Sequence, residues 1–262
     1  MYQWNPSDYE TNSSAQERAA AAIISRLDLR GNEQILDIGC GDGKVTMKLA
    51  SRVPQGRVLG IDSSRDMVDF AGKRYPSSEY SNLSFELGNA QNLNFDQEFD
   101  LVTSFACLHW VKDHLAVLEG VRRSLKPGGK VHILCGGRST GDDLASLAKE
   151  IMRSPTWSKY FRGFSNPYGT YGPEEYDAWL DQVGLEGIKV ELTNRDLIMH
   201  DKDEFEGFIR TTWLPITERI PEEMRNRFVS EISNSHLERH PPEDGLVRMG
   251  MAVLEVEARR ID

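Results

Sequence analysis

The sequence predicts a doubly wound α/β fold: a mostly parallel sheet of seven strands, helices on both faces, an antiparallel C-terminal hairpin and a helical cap. Three observations point there. Short apolar runs alternate with helix-patterned segments from residue 34 to residue 135. The first run, Ile35-Leu36-Asp37-Ile38, enters a turn with Gly39, Gly41 and Gly43 at alternate positions. The second run, Val58 to Ile61, ends in Asp62, which lies 19 residues beyond Gly43.

Taken in order, Gln16 to Leu27 is an Ala-rich helix with Ser13 or Ser14 as candidate cap, and Asn5-Pro6 starts a turn before it. The first strand covers 34–38, where an unbroken apolar run suits a strand buried on both faces. Helix 44–52 follows the glycine turn. Strand 57–61 leads into helix 65–74, and strand 83–87 ends in Gly88-Asn89-Ala90. Strand 99–104 precedes helix 112–125, a Lys126-Pro127-Gly128-Gly129 turn and strand 131–135. Pro173 to Val183 is a helix with Pro in its first turn, two Glu behind it and Gly184 as its stop. Strands 187–194 and 251–258 complete the sheet. The last alternates apolar residues with Glu, which suits a half-exposed antiparallel pair.

Segments 138–172 and 203–240 exceed a minimal sheet and are expected to form a cap within one domain spanning 1–262. The cap would sit over the carboxyl ends of the strands, where open α/β sheets bind ligands. The first segment holds Trp157, Tyr160, Phe161, Phe164, Tyr168 and Tyr171. The second is expected to hold helices 203–213 and 221–238. Phe205, Phe208, Ile209 and Trp213 share one face of the former, a stripe more often core than ligand site.

Composition removes several function classes. A net charge of −10 argues against a nucleic-acid footprint, which is basic. No uninterrupted apolar run approaches the roughly 18 residues of a membrane span. No signal peptide is expected from the start Met-Tyr-Gln-Trp-Asn-Pro. Cys40, Cys107 and Cys135 show neither C-x-x-C pairing nor metal-ligand spacing, so they are expected to be reduced thiols of a cytoplasmic protein without a metal. Oligomeric state is open.

The glycine turn narrows the cofactor. The dinucleotide fingerprint needs glycines at 39, 41 and 44, and position 44 is Lys. G-x-G-x-G with an Asp two residues before it instead resembles the first motif of Rossmann-like class I methyltransferases. That resemblance implies S-adenosylmethionine as cofactor and S-adenosylhomocysteine as product. Gly39 and Gly41 would cradle the methionine end, and Asp37 would lie near its ammonium group. Asp62 is placed to take both ribose hydroxyls, or to cap the helix starting near Ser63 or Ser64, and the two roles are compatible. Asn89-Ala90 stands where the family has Asp and a small residue to meet the adenine amine. Asn is a departure, yet its carbonyl oxygen can accept from that amine. Phe105 and its neighbours would face the methionine tail.

Trp4-Asn5-Pro6-Ser7-x-Tyr9, Gly60-Ile61-Asp62-Ser63-Ser64-x-x-Met67, Leu108-x-Trp110 and Ala258-Arg259-Arg260 are similar to trans-aconitate methyltransferases. Val102-Thr103-Ser104-Phe105 with Cys107-Leu108-His109-Trp110-Val111 resembles insect juvenile hormone acid methyltransferases. Both methylate a carboxylate oxygen. The likeness places Tyr9, Ser63 and Met67 on the cofactor side. It gives Gln16 and Trp110 the substrate carboxylate, with surface and core packing as their alternatives. Trp4 and Tyr9 would close as a lid or tie down the terminus. His109 would pack over the cofactor or act as base. The expected reaction is methyl transfer to a small-molecule carboxylate. The alternatives are carbon, nitrogen or hydroxyl methylation with His109 or a cap residue as base, or a module that binds S-adenosylmethionine without turnover.

Overall fold

The computed structural model describes residues 6–138 and 143–262. Trp4 lies outside them. Among the described residues the helices are α1 (Pro6–Asn12), α2 (Ser14–Ile24), α3 (Lys44–Arg52), α4 (Arg65–Arg74), α5 (His114–Ser124), α6 (Asp143–Arg153), α7 (Pro173–Val183), α8 (Lys202–Thr212), α9 (Leu214–Thr217) and α10 (Glu222–Arg239). The strands are β1 (Gln34–Ile38), β2 (Arg57–Asp62), β3 (Leu83–Leu87), β4 (Phe99–Phe105), β5 (Leu125–Gly136), β6 (Leu185–Met199) and β7 (Val247–Arg260).

They form one seven-stranded sheet in the order β3-β2-β1-β4-β5-β7-β6. The first five strands pair in parallel, whereas β7 lies antiparallel to β5 with Ile133 opposite Val256. Chain order reverses between β1 and β4, which is where such sheets open a ligand crevice.

The chain separates into two compact units. One holds Gln16–Arg138, Tyr168–Thr193 and Val253–Asp262. Alternating side chains of its strands feed two cores, as the period of a strand requires. Leu36, Ile38, Val102 and Ile133 pack with Leu118, Val121, Tyr176 and Leu180 of α5 and α7. Ile35, Leu101, Phe105 and Leu134 pack with Ala20 and Ile23 of α2 and Leu49 of α3. Helices therefore cover both faces.

The other unit holds Met1–Ala15, Ser139–Pro167 and Asn194–Ala252. It has its own core, in which Trp157, Phe205, Ile209 and Phe228 are fully buried. The Phe205–Trp213 stripe is core, as expected, with Phe208 and Trp213 partly buried against it.

Several elements differ from expectation for physical reasons. Pro6 starts α1 instead of a turn, because a Pro at the first helical position loses no bond. Asp8 joins α1 to α8 through two bonds from Arg210, at 2.8 and 2.7 Å. Lys126–Gly129 is an irregularity inside β5: Leu125 pairs with Phe99, and pairing resumes at Lys130 opposite Leu101. The last strand, β7, lies between two others and is not half-exposed. Its Glu255 is buried, with Arg26 at 3.4 Å and Lys189 at 3.0 Å as counter-charges. No described helix is long and apolar enough to cross a membrane.

Candidate active site

The carboxyl ends of β1, β2 and β4 converge on the glycine turn. Gly39, Gly41 and Gly43 have φ of 78°, 53° and 81°, the left-handed region that residues with a Cβ avoid. A Cβ on Gly39 would stand 2.2 Å from Cys107 Sγ, and one on Gly43 would stand 2.8 Å from Phe85 Cζ. The turn is thus closed on its protein side.

The N–H groups of Gly39, Cys40, Gly41 and Gly43 are engaged inside the protein. Gly39 and Cys40 both donate to Ile61 O, at 2.8 and 3.0 Å, and Gly43 donates to Cys40 O at 3.0 Å. Gly41 N–H donates to Asp62 Oδ2 at 3.0 Å. Asp42 Oδ1 accepts from Lys44 N–H at 3.2 Å, so a carboxylate already sits at the start of α3. A dinucleotide site would aim free N–H groups at its pyrophosphate, and these are not free. The turn suits a cofactor whose near end carries no phosphate.

Asp62 spans two segments. Besides Gly41, it accepts from Ser64 N–H at 2.8 Å through Oδ1. Ser64 caps α4 by accepting from Met67 N–H at 3.4 Å, so the capping and the carboxylate roles coexist. Burial raises the Asp62 pKa, while the backbone N–H groups of Ser64, Gly41 and Ser63 lower it. Each of its oxygens retains a lone pair, which is what two ribose hydroxyls would need.

Asp37 is buried and ties three elements together. Its Oδ2 accepts from Thr46 of α3 at 2.7 Å and its Oδ1 from Thr103 of β4 at 2.9 Å. Burial pushes its pKa up to about 6 despite both hydroxyls. A carboxylate in that state is favoured by a cation brought alongside it, such as an ammonium group. Neither threonine stands out in the sequence, because a strand hydroxyl becomes a ligand-shaping group only once register is known.

The remaining expected residues fall as follows. Asn89 is exposed beyond β3, and its Oδ1 accepts from Gln91 N–H at 3.0 Å, leaving one lone pair and the NH2 group. Ala90, Met67 and Phe105 are buried, and Phe105 belongs to the core shared with α2 and α3. Ser63 is exposed. Tyr9 lies half-buried on α1, in the unit without the glycine turn. Gln16 lies in the first turns of α2, and its Oε1 is enclosed with no hydrogen-bond partner. A half-turn of that amide presents its NH2 instead, so it can serve a donor or an acceptor.

Past β4 the backbone is forced. Ala106 has φ of 54° and donates its N–H to Leu134 O at 2.7 Å. A residue with a Cβ held there costs about 1–3 kcal/mol and sets the direction of the chain beyond it. The chain then makes a single helical turn, Leu108–Trp110. His114 anchors this turn: Nε2 lies 2.8 Å from Leu108 O and must donate, so Nδ1 accepts from the Tyr176 hydroxyl at 2.6 Å.

His109 Nδ1 accepts from Gly136 N–H at 3.3 Å. Burial, helped by His114, pushes its pKa down to about 4, so the ring is neutral at physiological pH with its proton on Nε2. It is a donor and a poor base. The rings of His109 and Trp110 lie 5.8 Å apart, and Tyr168 completes the group, 6.4 Å from His109 and 5.2 Å from Trp110. In the sequence Tyr168 is one of several cap aromatics. The Pro167 and Gly169 that flank it are the available sign of a tight approach to another segment.

The cysteines are free thiols, and burial pushes the Cys135 pKa up to about 12. No cluster of three His, Cys, Asp or Glu able to hold a metal ion occurs among the described residues.

Comparison with known proteins shows the family. A family model described as methyltransferase domain matches residues 35–129. The chain is similar to the trans-aconitate 2-methyltransferase of Streptomyces coelicolor, at 30% identity over 87% of this chain and 77% of that one. It is also similar to the trans-aconitate 2-methyltransferase of Methylobacterium nodulans, at 28% identity over 99% of each. Haemonchus contortus phosphoethanolamine N-methyltransferase 2, solved with phosphomonomethylethanolamine and S-adenosylhomocysteine, shares the fold. Its TM-score is 0.65 at 20% identity, covering 98% of this chain and 57% of that one. The chain belongs to the class I S-adenosylmethionine-dependent methyltransferases and is an enzyme of that class.

Proposed function

We propose that this enzyme transfers the methyl group of S-adenosylmethionine to a carboxylate oxygen of a small-molecule acceptor. The single observation that carries the reading is His109. Its Nδ1 lone pair is engaged by Gly136, and its pKa stands at about 4. A base of that strength is poorly matched to a hydroxyl or ammonium nucleophile near neutral pH. A carboxylate is already ionised there and needs no proton removed.

S-adenosylmethionine supplies an electrophilic methyl on a sulfonium centre. Asp62 would hold its ribose, Asp37 would stand near its ammonium group, and Asn89 with Ala90 would meet the adenine. Charge is neutralised as carboxylate meets sulfonium, so a strongly cationic clamp would stabilise the ground state more than the transition state. Neutral donors suit the task. The candidates are the amide of Gln16, whose Oε1 is enclosed without a partner, the indole of Trp110 and the Nε2–H of His109. Acceptor choice is assigned to segments 138–172 and 203–240. The trans-aconitate specificity named for the relatives supports a carboxylic acid acceptor.

The test supplies methyl-tritiated S-adenosylmethionine and a pooled set of carboxylic acids, including trans-aconitate and dodecanoate, beside matched alcohols and amines. Label released as methanol by mild base supports a methyl ester. Label that stays in a base-stable ether, amine or carbon product overturns the reading.

A further inference from the structure

The segment 168–176 is built onto the turn that carries His109 and Trp110. Gly169 N–H donates to His109 O at 2.9 Å. A Cβ at Gly169 would stand 1.8 Å from Val111 O, so only glycine lets the two backbones approach this closely. Tyr171 Oη donates to Lys112 O at 2.5 Å, and the Tyr171 ring stands edge-on to His114 at 4.8 Å. Arg138 N–H donates to Tyr171 O at 2.8 Å, and the Arg138 guanidinium pairs with Glu175 at the start of α7. The turn is therefore held from one side by β4 and α5 and from the other by this segment.

Tyr168 is the ring that the segment delivers. It meets Trp110 edge-on, 5.2 Å between centroids at 66°, and lies at 45° to His109. An edge-to-face neighbour restricts how an indole can rotate, because the ring quadrupoles favour that geometry. An N–H donor gains from such restriction, since the aligned orientation no longer has to be selected at each turnover.

We propose that Tyr168 is a positioning residue that holds the Trp110 indole in its donor orientation, with Gly169 as the anchor that keeps Tyr168 in place. This rests on the reading that Trp110 holds the acceptor. The ring carries the role, so Tyr168→Phe retains it and Tyr168→Leu loses it.

The experiment labels the five tryptophans with indole 15N and identifies the Trp110 signal by its loss in Trp110→Phe. Spectra are recorded with S-adenosylhomocysteine present. In Tyr168→Leu the Trp110 N–H signal moves and broadens while the other tryptophans hold their positions; in Tyr168→Phe it stays sharp and close to wild type. In parallel, kcat and KM are measured with trans-aconitate and with dodecanoate, and cofactor affinity by calorimetry. Tyr168→Leu is expected to lower kcat by about ten- to a hundredfold, with cofactor affinity within about twofold. A sharp Trp110 signal in Tyr168→Leu overturns the proposal, as does an equal loss in Tyr168→Phe and Tyr168→Leu. Unchanged acceptor kinetics in Trp110→Phe, with an altered Trp110 environment in Tyr168→Leu, would instead refute the acceptor reading of Trp110.

Discussion

Asp62→Ala separates the structural work of this carboxylate from its ligand work. In the free protein Asp62 accepts from Gly41 N–H at 3.0 Å and from Ser64 N–H at 2.8 Å. Alanine leaves both donors to whatever water reaches them. Lost bonds to a charged acceptor are offset by relief of the burial that raises its pKa, so the net loss of stability is about 1–3 kcal/mol. For a chain of this size that lowers Tm by roughly 3–10 °C. With cofactor present, the ribose hydroxyls lose their acceptor as well, which weakens S-adenosylmethionine by about 2–3 kcal/mol, or roughly 30- to 150-fold. Asp62→Asn keeps one acceptor oxygen and should fall between wild type and Asp62→Ala in stability. Chemical denaturation reads the first effect, and calorimetry on the folded variant reads the second. A destabilised variant with unchanged affinity refutes the ribose assignment. A variant unaffected in both refutes the reasoning about the turn.

Asp37 makes stability and binding depend on pH. Its folded pKa of about 6 exceeds its ordinary value of 3.8, so the folded protein holds this proton more tightly, and stability from this group falls as pH rises between those values. Denaturation of Asp37→Asn beside wild type should show the difference moving toward the variant from about pH 4 to about pH 7, and a pH-independent difference would contradict the burial argument. If an ammonium group lies beside Asp37, cofactor affinity should fall as pH drops below about 6, which calorimetry against pH reads directly. Gly39→Ala should cost about 2–4 kcal/mol, because φ is 78° and the new Cβ meets Cys107. Adding Cys107→Ala should not rescue it, since Cys107 Cβ would still stand 2.3 Å away. Ala106→Gly should be neutral or stabilising by up to about 1 kcal/mol, and Ala106→Val destabilising, by the same denaturation assay.

The first four strands are legible in the sequence nearly to the residue, because each is a short apolar run closed by Gly, Asp or Ser. Helix ends are legible where a cap or stop is spelled out, as with Ser64 before α4 and Gly184 after α7, whereas α5 starts two residues later than the expected Lys112, behind its cap Asp113. Pattern fails where tertiary pairing decides. It ends the sixth strand at Asn194 and starts the last at Met251, whereas β6 runs to Met199 and β7 starts at Val247. Charged residues such as Glu255 look like an exposed face until their partners are placed. Helix α6 is absent from the expectations although Leu144, Leu147, Ala148, Ile151 and Met152 recur at the spacing of one helix face and are buried. The aromatic density just beyond it is the louder feature of that segment. At the site, the glycines and both aspartates can be read from spacing. The bond from Gly41 to Asp62, the two threonines on Asp37 and the forced Ala106 arise from register and from segments distant in sequence, which no local signal encodes, and the flanking Pro167 and Gly169 mark a close approach at Tyr168 without naming its partner.

The central claim is that the acceptor end works with neutral donors and no base. It is tested most directly by kcat/KM against pH for wild type and His109→Asn with the methylated carboxylic acid. With S-adenosylmethionine saturating at every pH, so that Asp37 does not enter, the account predicts no fall in rate on the acidic side near pH 6–7, since His109 titrates at about 4, and substantial activity in the variant. A limb titrating near pH 6–7 that vanishes in His109→Asn, with turnover collapsed and cofactor binding intact, would contradict it.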